Sequence, residues 1–130
     1  MLIEQALLTE LLTVTALTAL IDDKLYYVKA PQDVEEPYVV FFKVSAPREH
    51  SLTGASGLAT ARFQFSTFAE TYYQAKQIAQ QIQLALQGMN KVIGGVGGVY
   101  ANILYDNETD LTEDELYHIA QEFIVIHKEV

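Results

Sequence analysis

The run Tyr38-Val39-Val40-Phe41-Phe42-Lys43-Val44 is the feature that most constrains how this chain can fold. Its β-branched and aromatic side chains favour extended backbone. Successive side chains of a strand point to opposite faces of a sheet, and here both sets of alternating positions are apolar. Such a pattern predicts a strand inside a sheet with both faces covered. The chain is therefore expected to build a layered domain around a sheet.

The composition predicts one folded domain over residues 1–130. Half of the residues are apolar, which is more than a disordered chain contains. Folding at this length hides roughly two-thirds of the chain's surface. The chain has no cysteine, so disulfides and Cys-ligated metal sites are excluded. Eight basic and 17 acidic residues give a net charge of −9, and such a surface is not expected to bind nucleic acid tightly.

The leucine-rich N-terminus predicts an amphipathic helix over residues 2–21. A signal peptide starts with a basic region, but the first charged residue is Glu4 and the first basic residue is Lys24. Apolar residues recur three and four positions apart, which draws one stripe along a helix. We therefore expect a protein that makes no membrane contact and stays in the cytoplasm in which it is made.

Residues 71–88 carry the clearest helix signals. Thr71 and Gln74 match a capping box, and Gly88 stands where a left-handed residue ends a helix. A second capping-box match begins at Thr112, so local rules leave helix and strand open for residues 113–120. The other predicted elements are strands at 25–28, 38–44, 59–68, 99–105 and 115–128, a polar loop at 47–58, a flexible glycine connection at 94–98 and an acidic loop at 106–114.

The predicted order of elements is α-β-β-β-α-β-β. Strands joined by loops favour antiparallel pairing, and amphipathic helices pack against a sheet. The expected architecture is an α+β domain with a mostly antiparallel sheet of four to five strands and two helices packed on it.

Patterns that could support catalysis or bind a cofactor are incomplete. A phosphate loop needs a strand before its glycines and a helix after them, whereas the order around residues 94–98 is the reverse. Residues 54–58 lack the last glycine of a nucleophile elbow. His118 and Glu122 supply two metal ligands where three or four are needed. The acidic groups lie in predicted loops, where solvated charge is usual, and a catalytic acid–base pair among them stays an alternative.

Four segments, in their order and spacing over residues 1–128, carry a family resemblance. They are the leucine-rich helix leading to Tyr26, the step Ala30-Pro31-Gln32 followed by Pro37-Tyr38-Val39-Val40, the loop 47–54, and Arg62-Phe63-Gln64-Phe65 with the helix that ends at Gly88. The chain resembles the tail-completion or tail-terminator proteins of long-tailed phages and prophages. In that family the last segment is a strand, which selects a strand over residues 115–128.

The resemblance implies a structural virion protein at the tail or neck. Such proteins cap the finished tail tube as a ring, commonly of six copies, and present a surface for head-to-tail joining. The implied partners are copies of the chain, the tail tube protein and a head connector or stopper protein, while DNA only passes through the lumen. No enzymatic activity, metal or cofactor is implied. The alternatives are another neck component, such as a head-side connector or stopper, and a small enzyme or ligand-binding domain.

Contacts within such a ring are expected from the predicted loops 47–58, 88–98 and 106–114, since loops often carry binding residues. Arginine is enriched at protein contacts because its planar fork binds carboxylates, although a solvated loop arginine is the alternative for Arg48. Acidic groups facing the lumen would keep DNA from sticking. The candidate interface residues are Arg48, Glu49, His50, Leu52, Arg62, Val96 and Asp110.

Overall fold

The computed structural model describes residues 2–46 and 57–128, which form a sheet with helices packed on one face. The elements are α1 (Ile3–Leu12), α2 (Thr15–Ile21), β1 (Leu25–Tyr27), β2 (Tyr38–Ser45), β3 (Leu58–Ala69), α3 (Tyr72–Leu86), β4 (Asn90–Ile93), β5 (Val99–Glu113) and β6 (Leu116–Lys128). The strand order is β1-β2-β3-β6-β5-β4. β1 runs parallel to β2, and the other neighbours are antiparallel.

The expected fold of four to five antiparallel strands with two helices is wrong. The described residues form six strands in a mixed sheet and three helices. Two differences account for this. β4 falls within the predicted loop 88–98, and the predicted N-terminal helix is two helices.

The N-terminal helix breaks at Thr13 and Val14, where the axes of α1 and α2 bend by 85°. A straight helix of this length would be roughly 28 Å long, whereas the bend lets both segments lie over the sheet. Leu7 and Leu11 of α1 and Leu17 of α2 are buried in the same core. Within the described residues, no single helix has the length and apolar character of a membrane span. α1 and α2 have that length and apolar character only when they are counted together, and the bend separates them.

The predicted acidic loop at 106–114 is also wrong, because β5 continues through it to Glu113. Pairing with β6 runs from Asn107 opposite Glu122 to Glu113 opposite Leu116, after a bulge at Asp106. The turn consists of Asp114 and Glu115, whose φ angles of 49° and 66° suit a two-residue hairpin. The strand predicted for residues 115–128 is confirmed as β6.

The core lies in a single layer between the helices and one face of the sheet. Phe41 stacks on Phe65 with ring centroids 4.9 Å apart, and Phe65 meets Phe123 edge-on at 5.6 Å. Ile78 and Ile82 of α3 are fully buried in the same cluster. The part of the chain that the structure describes therefore has two layers, and the second face of the sheet takes no part in this core.

Candidate assembly surface

Among the described residues, no helix or strand covers the face of the sheet opposite the helices. In β2, Val39 and Phe41 are completely buried in the core, whereas Val40 and Phe42 are only half-buried. The expectation that both faces of this strand are covered is therefore wrong. The strand register places the apolar residues of neighbouring strands on the same face. We call this surface the open face; its apolar residues include Val40, Phe42, Phe68, Leu104, Leu111, Ile124 and Ile126.

A groove of about 420 Å³ lies at one end of the open face. The segment after β1 forms one wall through Val28 and Lys29, and β2, β3 and β6 form the rest. Phe68 stacks between Tyr38 and His118, with centroid distances of 5.1 and 4.4 Å. The full lining is Val28, Lys29, Ala30, Tyr38, Val40, Phe42, Gln64, Ser66, Phe68 and His118. The described residues of this lining include no carboxylate, so they do not provide the shifted acidic groups that the enzyme alternative requires.

Arg62, a predicted interface residue, lies beside the apolar residues of the open face. Its guanidinium donates hydrogen bonds to Asp106 and, at 3.2 Å, to Glu122. The hydrogen bond to Asp106 is the main reason that the pKa of Arg62 is raised. The three side chains come from β3, β5 and β6, so they link adjacent strands and balance the charge of Arg62 within the chain.

Asp110, also predicted at an interface, lies on the helix side of β5. It accepts a hydrogen bond from the Tyr72 hydroxyl at 2.9 Å and forms an ion pair with Lys76 at 3.2 Å. The hydrogen bond from Tyr72 is the largest cause of the lowered pKa of Asp110, and Lys76 adds to it. Asp110 therefore joins β5 to α3 of its own chain.

Val96 occupies a third location, the turn between β4 and β5. Its side chain is 99% exposed. The structure therefore does not bring Arg62, Val96 and Asp110 together. The other predicted interface residues, Arg48, Glu49, His50 and Leu52, lie outside the described residues.

The groove was not predicted from the sequence. The apolar character of both faces of residues 38–44 was the available signal, because it marked Val40 and Phe42 as residues that need a partner surface. His118 and Glu122, the two possible metal ligands in the sequence, have different neighbours: Glu122 faces Arg62, and His118 stacks on Phe68. Among residues 2–46 and 57–128, no group of three or more His, Asp or Glu side chains could hold a metal ion.

A small two-layer domain that leaves an apolar sheet face exposed is typical of proteins that act by binding other protein chains. Residues 5–128 match the family model described as Tail completion protein gp17, and the chain belongs to this family. This confirms the family resemblance and supports a structural role in a phage tail and a location in the virion.

Two solved structures have the same fold. A chain in the virion of a native gene transfer agent (GTA) particle superposes with a TM-score of 0.74 at 18% identity, covering 98% of both chains. A second structure superposes with a TM-score of 0.61 at 13% identity, covering 92% of this chain and 95% of the other. At these identities the similarity concerns the fold alone. No curated protein sequence matches the chain significantly.

Proposed function

We propose that this protein caps the completed tail tube as a ring of six copies and provides the surface to which the head is joined. The open face carries the proposal. It exposes apolar side chains of β2, β3, β5 and β6 on a chain whose core is complete on the other face. Apolar surface of this kind is stabilised when another protein covers it.

In this proposal the protein acts only by binding other molecules and does not convert a substrate. Its partners are copies of the same chain, the tail tube protein and a head connector or stopper. A closed ring requires two different surfaces on each copy, which meet by rotation about one axis. DNA passes through the lumen, and the net charge of −9 disfavours tight binding to its phosphates.

The proposal is tested with two matched leucine substitutions in the phage or prophage that encodes the chain. Leu104 is 49% exposed on the open face, and Leu84 is 66% exposed on α3. Both Leu104→Asp and Leu84→Asp should fold, because neither side chain belongs to the core. We expect Leu104→Asp to abolish head-to-tail joining and Leu84→Asp to preserve it, as scored by electron micrographs and yield of complete particles.

Deletion of the gene separates the alternatives. Tails of irregular or excessive length support a terminator that caps the tube. Tails of normal length beside heads that leak DNA would instead identify a head-side connector or stopper. Complete particles in the absence of the protein would refute a role in assembly, and dependence of a chemical turnover on one of its side chains would favour the enzyme alternative.

A further inference from the structure

The turn between β4 and β5 is built by glycines to present one apolar side chain. Gly95 and Gly97 have φ angles of 77° and 73°, which glycine adopts without steric cost. The Gly98 amide donates to the Gly95 carbonyl at 3.1 Å. A Cβ atom at Gly98 would lie 2.2 Å from the Ile93 carbonyl oxygen. Val96 is the only residue with a side chain in the run from Gly94 to Gly98.

The groove on the open face offers a surface of matching chemistry. Val28, Val40, Phe42 and Phe68 give it apolar walls, and its volume is about 420 Å³. A valine side chain with its glycine neighbours is small enough to enter such a space. Among the described residues that line the groove, Lys29 is the only lysine, arginine or carboxylate.

The turn and the groove lie toward opposite edges of the sheet. In the order β1-β2-β3-β6-β5-β4, the groove belongs to the β1 side and the turn to the β4 side. One copy therefore cannot fill its own groove with its own turn. Two different patches on opposite sides of a subunit are what a head-to-tail contact uses, and such a contact closes into a ring when the rotation allows.

Charge also favours these two patches over other contacts. Copies that each carry a net charge of −9 repel one another. The run from Gly94 to Gly98 has no charged residue, and the groove has a single lysine. Contact here brings no pair of carboxylates together.

We propose that Val96 of one copy inserts into the groove of the next copy, so that the turn and the groove form a repeating contact around the ring. This inference rests on the proposed function, because it names the partner surfaces within the proposed ring. The occupant of the groove is thus a second copy of this chain.

Cysteine cross-linking tests this contact directly, since the chain has no cysteine of its own. One variant carries Val96→Cys and Val28→Cys; Val28 is 61% exposed on the groove wall. The control carries Val96→Cys and Leu84→Cys, with the second cysteine on α3. Tails assembled with each variant are purified, oxidised mildly and run on a non-reducing gel. We expect a ladder of disulfide-linked multimers from the first variant and at least tenfold less from the control.

The outcomes separate this inference from the proposed function. Copies that are present on tails but give no ladder, or equal ladders from both variants, overturn the Val96 contact and leave the capping role intact. Absence of the protein from tails overturns both proposals. As a second measurement, Val96→Asp should lower incorporation into tails at least tenfold, whereas Val96→Ile should keep it. Normal incorporation of Val96→Asp would also overturn the contact.

Discussion

Lys76 joins α3 to the long β5–β6 hairpin. Its ammonium group lies 2.6 Å from Glu108 and 3.2 Å from Asp110 and 5.5 Å from the centroid of the Tyr72 ring. The hydrogen bond to Glu108 is the largest cause of the raised pKa of Lys76. Glu108 and Asp110 lie two residues apart on the same face of β5, and the single positive charge of Lys76 offsets part of their negative charge. This arrangement allows an acidic segment to run as a strand beneath a helix.

Replacing Lys76 with methionine should destabilise the fold in a pH-dependent way. The pKa of Asp110 is lowered from 3.8 in the folded state. Its stabilising contribution is therefore present above that value and disappears as the pH falls through the folded-state pKa. We expect Lys76→Met to lower the free energy of unfolding by about 1 kcal/mol at neutral pH and by less in acid. Urea unfolding at both pH values measures the difference.

Lys91→Met is the control for this prediction. Lys91 is 60% exposed at the side chain and lies 3.6 Å from Glu10, so its loss should cost less than about 0.5 kcal/mol. An equal loss of stability for Lys76→Met at neutral and acid pH would contradict the electrostatic explanation.

The two glycines Gly95 and Gly98 should respond differently to alanine. At Gly95 there is open space around the added Cβ, but φ is +77°, so Gly95→Ala should cost about 1 kcal/mol. At Gly98 the added Cβ meets backbone oxygens at 2.2 and 2.9 Å. Gly98→Ala should therefore lower the midpoint of thermal unfolding clearly more than Gly95→Ala. Equal midpoints would show that the turn relaxes without cost.

The helix α3 depends on a local cap at Thr71, whose hydroxyl oxygen accepts a hydrogen bond from the backbone N–H of Gln74 at 3.1 Å. Thr71→Ala should lower the free energy of unfolding by about 1 kcal/mol, and Thr71→Ser should largely preserve it. Thr112 begins the second capping-box match in the sequence but lies in β5. Thr112→Ala is therefore the matched control and should cost less. Chemical denaturation of the three variants measures this, and a larger loss for Thr112→Ala would contradict the role of the cap.

The contrast between Thr71 and Thr112 explains which elements could be predicted. At α3, the cap, the apolar stripe and Gly88 are local signals that agree with one another. At Thr112, the local signal favours a helix, but pairing of Leu111 with His118 and of Thr112 with Tyr117 makes a hairpin. Pairing within this hairpin and of β6 with the distant strand β3 overrides local preference here, and the strand could be predicted only through the family resemblance.

Other features depend on packing that no local pattern records. The apolar stripe of residues 2–21 continues through Val14, so it does not reveal the bend between α1 and α2. β4 begins with Asn90 and Lys91, which have low strand propensity, and it forms because β5 offers a pairing edge. Among the candidate contact residues, Val96 could be selected from the sequence because it stands among glycines. The groove could not be predicted, because it combines segments around Val28 and Phe68 that lie far apart in the sequence.

At the scale of the whole molecule, residues 2–46 and 57–128 form one complete core and leave one apolar sheet face uncovered. The sequence of β2 is apolar toward both faces, but the three helices supply apolar residues to one face only. A single sequence cannot distinguish cover by the chain's own helices from cover by another protein, because both leave the same apolar pattern. In a family of tail completion proteins, the second explanation agrees with a protein that works in an assembly.

Self-association of this protein should strengthen as salt is added. Each copy has a net charge of −9, and the repulsion between copies is screened over roughly 10 Å at 0.1 M salt. The proposed contact uses uncharged patches, so salt should weaken the repulsion without weakening the contact. We expect the association constant to rise on the order of tenfold between low and high salt, as measured by sedimentation velocity.

A variant with exposed Asp33 and Glu35 changed to Asn and Gln should show a smaller rise. Association that weakens with salt would instead indicate a ring held by ion pairs, such as those expected of Arg48, and would contradict this prediction.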